Sequence, residues 1–225
     1  MPDRPFGTQR RLSLALALSA LLFLLHVAPA GARSYAVFHS KELNPPHTDF
    51  NVPRNDVIWG WATMIKRWQN GTSCPLPTNL CTRVGWSEMI ARLKGQDPMT
   101  QMHAVNDAFS LARYQYVQDI DNWGVLDYYA TPYQFLRKSG DCEDFAIAKY
   151  MMLRALGFPA TSLRLLAVSI LSTGGEPHSI LLVYLGNKTW VLDIRNSQVM
   201  DADRVVDYKP VISLNEIDWR IELVN

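Results

Sequence analysis

Charge of one sign is what this sequence has least of. Its 22 Lys and Arg stand against 21 Asp and Glu, a formal +1 over 225 residues. No long basic run interrupts the balance, which excludes the electrostatic footprint of a nucleic-acid or polyanion surface. Repeats and low-complexity tracts are also missing, and 48% of the residues are apolar. Disorder and a fibrous build are therefore excluded, and a buried core is well supplied for one domain. Cysteine is scarce at three residues and histidine at five, so any chemistry built on them has few candidates.

A long apolar run occurs near the start. Leu12 to Leu25, broken by Ser13 and Ser19, follows Arg10-Arg11 and precedes a small-residue stretch. A charged start, an apolar middle and a small-residue end make a secretory signal peptide. The run is shorter than the roughly 20 residues that span a bilayer, so removal is expected, leaving nothing membrane-embedded. Cleavage fits after Ala30 or, preferred here, after Ala32. Losing Asp3, Arg4, Arg10 and Arg11 then leaves a net charge of about −1. The expected organisation is a signal peptide over residues 1–32, an extended arm over 33–54 holding Pro45, Pro46 and Pro53, and one domain over 55–225.

Cys74 and Cys81 bracket a short loop with two prolines, and in an oxidising compartment a local disulfide is the natural expectation. Free buried thiols or half of a metal site are the alternatives, although no nearby Cys or His completes a zinc set. Cys142 is then the odd thiol.

Apolar spacing of three to four predicts helices from Val57 to a stop at Asn70-Gly71, over Trp86 to Leu93, from about Met99 to Tyr116, after Thr131-Pro132 to about Lys138, and from Cys142 to Leu156. Asp119 to Tyr129 reads as aromatic and irregular. Beyond Gly157 the texture turns to strands over Leu163 to Ser169, Ser179 to Leu185 and Thr189 to Asp193, with Gly186-Asn187 as the hairpin turn and a further strand within Ile217 to Val224. Helices followed by an antiparallel sheet make an α+β plan.

Cys142 falls in the first helical turn after Gly140-Asp141, where free N–H groups and the helix dipole favour the thiolate. Its own N–H suits an oxyanion donor. His178 begins a strand after a glycine-containing loop, a firm mount for a base. Asp193 ends the next strand of the hairpin, near the same sheet end, so its carboxylate can hold one imidazole nitrogen and leave the other for sulfur. Separately His178 and Asp193 would more often be structural; together with Cys142 they form a nucleophile, base and acid. Asp141, Glu143 and Asp144 crowd the thiol. Negative neighbours oppose thiolate formation, so either they complement the helix dipole or a hard cation neutralises them. Trp123 and Tyr128 are candidates for the substrate cleft or for the core.

Val105-Asn106-Asp107, Trp123-Gly124, Ala130-Thr131-Pro132, the block Gly140-Asp141-Cys142-Glu143-Asp144-Phe145-Ala146-Ile147-Ala148-Lys149-Tyr150, His178 and Leu192-Asp193 together resemble the bacterial transglutaminase-like cysteine proteinases, in particular the periplasmic LapG-type adhesin proteases. The resemblance covers roughly residues 55–223 and implies a papain-like, transglutaminase-like α+β fold with Cys142, His178 and Asp193 as triad. It also implies Ca2+ held by Asp141, Glu143 and Asp144, a periplasmic location, and cleavage of the N-terminal region of a large surface adhesin, which disperses a biofilm. An inner-membrane cyclic-di-GMP receptor that sequesters the protease is the further partner implied. Tyr129, where the family often has Trp, and Ile194-Arg195 after the acid depart from the pattern. A transglutaminase or a peptidoglycan amidase would use the same triad, and a non-catalytic peptide-binding module would keep the fold.

Overall fold

The computed structural model describes residues 47–48, 56–70 and 85–222. The expected signal peptide, most of the arm and the Cys74–Cys81 loop lie outside the described residues. Among the described residues six α-helices precede the sheet: α1 Asp56–Asn70, α2 Trp86–Leu93, α3 Pro98–Ala108, α4 Asp119–Trp123, α5 Pro132–Lys138 and α6 Cys142–Leu156. Six strands follow, β1 Leu163–Ile170, β2 Glu176–Leu185, β3 Lys188–Asp193, β4 Asn196–Asp201, β5 Tyr208–Leu214 and β6 Trp219–Ile221. They form one antiparallel sheet in the order β4-β3-β2-β1-β5-β6. No helix among the described residues is long and apolar enough to cross a membrane.

Local chemistry sets the helix ends. Asp97 caps α3 through the N–H of Thr100, with Pro98 in the first turn. Thr131 and Gln134 form a reciprocal capping box on α5, again with Pro at the start. α6 ends at Gly157, whose φ of 105° favours glycine. α3 stops at Ala108, short of the expected Tyr116, because Ser110 and Arg113 turn back onto the carbonyl of Asp107. The stretch expected to be irregular holds the short α4.

Strand alternation divides the sheet between two cores. Leu165, Leu181, Val183 and Leu192 pack with Phe145, Ile147, Met152 and the other helices. Leu166, Ile180, Leu182 and Val191 point to the opposite face, where Ala202, Val205 and Tyr208 cover them. β4 and β5 were not foreseen. β4 carries Asn196, Ser197 and Gln198 with little apolar alternation, and β5 contains Pro210, which sits beside a register shift opposite Val168. β6 is realised as a three-residue strand, and His47 of the expected arm pairs with its Trp219.

α6 packs its apolar length against β2, with flanking contacts to β1 and β3. Phe145, Ile147, Tyr150, Met152 and Leu153 are each fully buried, at roughly 1.5–3 kcal/mol per large side chain. That face fixes where the first turn of α6 lies against the sheet.

Candidate active site

His178 and Asp193 meet because of the hairpin register. Leu181 faces Leu192 across β2 and β3, so one further step puts Asp193 opposite Ile180 and makes His178 its diagonal neighbour on the same face. The His178 Nε2 lies 2.8 Å from Asp193 Oδ1, with both side chains buried, which leaves Nδ1 for a thiol. Asp193 Oδ1 also accepts the N–H of Arg195 at 3.0 Å, and its Oδ2 accepts the hydroxyl of Tyr208. Burial alone would raise the Asp193 carboxyl, but the bond and charge of His178, with Tyr208 and Arg195, hold it below the usual carboxylate range.

Cys142 begins α6 and is half-buried. The backbone N–H of Ser179, the residue after His178, stabilises its thiolate, so the sulfur lies beside the start of β2. The favourable helix position is nevertheless outweighed by burial and by the neighbouring acids. Burial, then the charges of Glu143 and Asp141, push the thiol well up, and its Sγ donates to Glu143 Oε2 at 3.3 Å.

The acids gather differently from the sequence-based expectation. Asp119, Asp141 and Glu143 bring one carboxylate oxygen each within 4.8 Å of one another. Asp144 stands outside that group: its Oδ1 accepts the N–H of Ala130 at 2.6 Å, and its side chain is pressed against Gly140. A Cβ at position 140 would fall 2.6 Å from the Cβ of Asp144, so only glycine fits. This group shares Asp141 and Glu143 with the expected trio and holds Asp119 in exchange for Asp144. The exchange follows from a pairing the sequence does not display, a parallel bridge between Tyr116 and Gly140 with Val117 N–H on the Gly140 carbonyl at 2.9 Å. It draws the start of α4 beside the start of α6.

This trio fits a hard cation. Asp141 occupies the N-cap of α6 but caps nothing, and the Oδ1 atoms of both Asp119 and Asp141 are buried without a hydrogen-bond partner, an arrangement costly in a native interior unless something binds there. Asp119 Oδ2 is held by the N–H of Tyr128 at 2.5 Å. Burial, then the charge of Asp141, raises the Asp119 carboxyl to about 6; burial raises Asp141 as well, and burial with repulsion from Asp141 raises Glu143 strongly. Oxygen donors of this kind suit calcium.

Trp123 and Tyr128 stack on each other with ring centroids 4.5 Å apart. Lys138 covers the Trp123 ring at 4.1 Å and Arg67 covers Tyr128 at 4.2 Å. The two stacked rings each carry one cation, with Gln134 donating to the Tyr128 hydroxyl at 2.9 Å. Tyr129 is buried against Gly60.

Two residues to which the sequence assigned no role support the site. Tyr208, on β5, reaches Asp193 on β3. Lys149, fully buried on α6, donates to Asn106 Oδ1 at 2.8 Å, and Asn106 in turn donates to the carbonyls of Asn196 and Ser197 at 3.1 Å each. That chain ties α6 and α3 to the turn after Asp193. Burial draws the Lys149 ammonium down to about 7 against the pull of Asp193. A lysine inside an apolar helical run was the available signal, since such a side chain is rarely buried without partners.

The family model of the bacterial transglutaminase-like cysteine proteinases matches residues 73–213. Legionella pneumophila LapG in its calcium-bound form is 29% identical, covering 71% of this chain and 86% of that one at a TM-score of 0.57. The EGTA-treated form of LapG matches with the same identity and TM-score over 84% of its length. No curated protein sequence matches. With a helix-borne cysteine beside a strand-borne His–Asp pair, and with this match, the chain belongs to the bacterial transglutaminase-like cysteine proteinases and is a cysteine protease of the LapG type.

Proposed function

We propose that this protein is an exported, periplasmic, calcium-dependent endopeptidase that cleaves the N-terminal region of a large surface adhesin, releasing it and dispersing a biofilm. What carries the catalytic part is the buried 2.8 Å contact of His178 with Asp193, next to Ser179, whose backbone N–H favours the Cys142 thiolate. Cys142 Sγ attacks the scissile carbonyl carbon while its proton passes to His178. The carbonyl oxygen takes the negative charge, with the Cys142 N–H placed to receive it. His178 returns the proton to the leaving amine as the C–N bond breaks, leaving a thioester. Water, deprotonated by His178, then hydrolyses the thioester and restores the thiol. Asp193 holds the imidazole throughout.

Asp119, Asp141 and Glu143 would hold calcium. Its charge offsets the acids that oppose thiolate formation, and binding gives the orphaned oxygens of Asp119 and Asp141 a partner. In keeping with the resemblance, an inner-membrane cyclic-di-GMP receptor is the proposed sequestering partner.

The deciding experiment incubates the protein with the N-terminal fragment of an adhesin encoded beside it, with Cys142→Ala and excess EGTA as controls. Cleavage by the calcium-loaded protein alone is the expected result. No cleavage together with release of muropeptides from cell-wall material would replace the proposal by a peptidoglycan amidase, and amine incorporation into the fragment would replace it by a transglutaminase.

A further inference from the structure

The oxygen of Asp193 that does not face His178 has its own dedicated donor. Tyr208 opens β5 and pairs with Ile170 of β1, so in sheet order β1 and β2 separate it from the strand of Asp193. Its buried side chain crosses that interval to place its hydroxyl on Asp193 Oδ2, with its ring 5.8 Å from the imidazole of His178. The direction of the hydroxyl proton is fixed by a further residue. Arg195 Nη1 lies 3.3 Å from the same oxygen, its guanidinium stands over the ring at 5.6 Å, and Asp207 anchors it from behind at 3.6 Å. Arg can only donate. It therefore occupies a lone pair of the tyrosine oxygen, and the single hydroxyl proton is left for the carboxylate. Burial and the adjacent Asp193 charge raise the Tyr208 hydroxyl's pKa, so it remains a donor.

We infer that Tyr208 is a positioning residue for the proposed reaction: its hydroxyl, oriented by Arg195, locks the Asp193 carboxylate in the rotation that presents Oδ1 to His178 Nε2 and so holds Nδ1 toward Cys142. With both carboxylate oxygens engaged, turning about the Cβ–Cγ bond breaks at least two hydrogen bonds at once. Without the hydroxyl, Oδ2 is left buried with no donor, and the carboxylate turns toward Arg195. The imidazole then loses its fixed tautomer. Arg195 thus gains a role from the position where the sequence departs from the family pattern.

The inference rests on the reading of Cys142, His178 and Asp193 as nucleophile, base and acid, and the test separates the two. Full-length, calcium-loaded wild type, His178→Ala, Tyr208→Phe and Arg195→Met are compared by the pH profile of Cys142 alkylation with iodoacetamide and by the downfield Nε2–H proton resonance of His178. Steady-state cleavage of the adhesin fragment is measured in parallel. Tyr208→Phe keeps the ring and its packing. It is expected to lower kcat about tenfold, the size of a lost hydrogen bond to a charged group, with KM within about twofold and the Nε2–H resonance broadened or lost. Arg195→Met, at a half-exposed residue, lowers kcat less, about threefold, and gives a second handle should the tyrosine variant fold poorly. Wild-type alkylation that is indifferent to His178→Ala would overturn the triad reading itself. Alkylation that needs His178, with a sharp Nε2–H resonance and unchanged kcat in Tyr208→Phe, would overturn only the role of Tyr208.

Discussion

On the strand side of the site both oxygens of Asp193 have donors, whereas on the helix side Asp119 Oδ1, Asp141 Oδ1 and Asp144 Oδ2 are buried without one. The same contrast runs through the acid–base chemistry. His178, Tyr208 and Arg195 hold the Asp193 carboxyl down, while burial raises Asp119, Asp141 and Glu143 and carries the neighbouring thiol up with them. One flank is a finished hydrogen-bond network that the polypeptide completes alone. The other is complementary to a cation the polypeptide does not supply. The base and its orienting acid are thus built by folding, whereas the acids around the nucleophile gain a partner only in the proposed calcium-bound form.

The largest effects come from breaking the finished flank and its thiol. Cys142→Ala and His178→Ala should each reduce cleavage by on the order of 10⁴-fold or more, measured as initial rates on the adhesin fragment, with the helical circular-dichroism signal unchanged. Residual cleavage within tenfold of wild type in either variant contradicts the assignment. Chelation attacks the unfinished flank: excess EGTA should abolish cleavage and lower Tm by several degrees, both restored by calcium, because a ligand bound only to the folded state stabilises it by mass action. Full activity in EGTA defeats the calcium claim.

Asp119→Asn and Asp144→Asn separate the two versions of the acidic set. Asp119→Asn should weaken calcium binding, read by titration calorimetry, at least tenfold, yet raise Tm in EGTA because it removes a charge from a repelling group. Asp144→Asn should leave calcium affinity within about threefold. The reverse ranking restores the trio expected from sequence. A smaller effect concerns pH. The folded protein retains protons on Asp119, whose pKa is about 6, and on Asp141 and Glu143, which are also raised, after the unfolded chain has released its own near pH 4. The folded state then binds more protons than the unfolded one, so cation-free stability falls as pH rises from about 4 to 6 and beyond. Scanning calorimetry in EGTA should record that decline, and saturating calcium should flatten it.

Smallest is the effect at Ser139, the only non-glycine among the described residues with positive φ, at 62°. Ser139→Gly relieves a conformation that costs on the order of 1 kcal/mol, partly offset by the entropy glycine adds to the unfolded chain. A Tm gain of about 1 °C is expected.

How much of this was legible in the sequence depends on the range over which each contact acts. α6 and its thiol are written in fifteen consecutive residues, and the β2–β3 hairpin in the run from His178 to Asp193, so the pairing of His178 with Asp193 followed from a turn and a period of two. The helix caps at Asp97 and Thr131 are equally local. Asp119 was missed because its partnership with Asp141 depends on the Tyr116–Gly140 bridge, which no periodicity announces. Tyr208 was missed because β5 hides behind Pro210, and its contact with Asp193 depends on the order of strands across the sheet. Asp144 is adjacent to Glu143 in sequence, while on the helix its side chain turns to Ala130.

The Tyr116–Gly140 bridge has one more consequence, in the statistics of the chain. It closes a ring of polypeptide that contains α4 and α5, and the acidic trio straddles the closure, with Asp119 just inside it and Asp141 and Glu143 just beyond it. Closing a ring of about 20 residues costs chain entropy on the order of 3 kcal/mol. Without a cation, the bridge and the core packing of Phe135 and Leu136 hold the ring shut against that cost and against charge repulsion. With a cation the ring has a second clasp. The acid-bearing side of the ring, residues 117–128, is therefore expected to exchange its amide protons well before those of the sheet in EGTA and to gain protection in calcium.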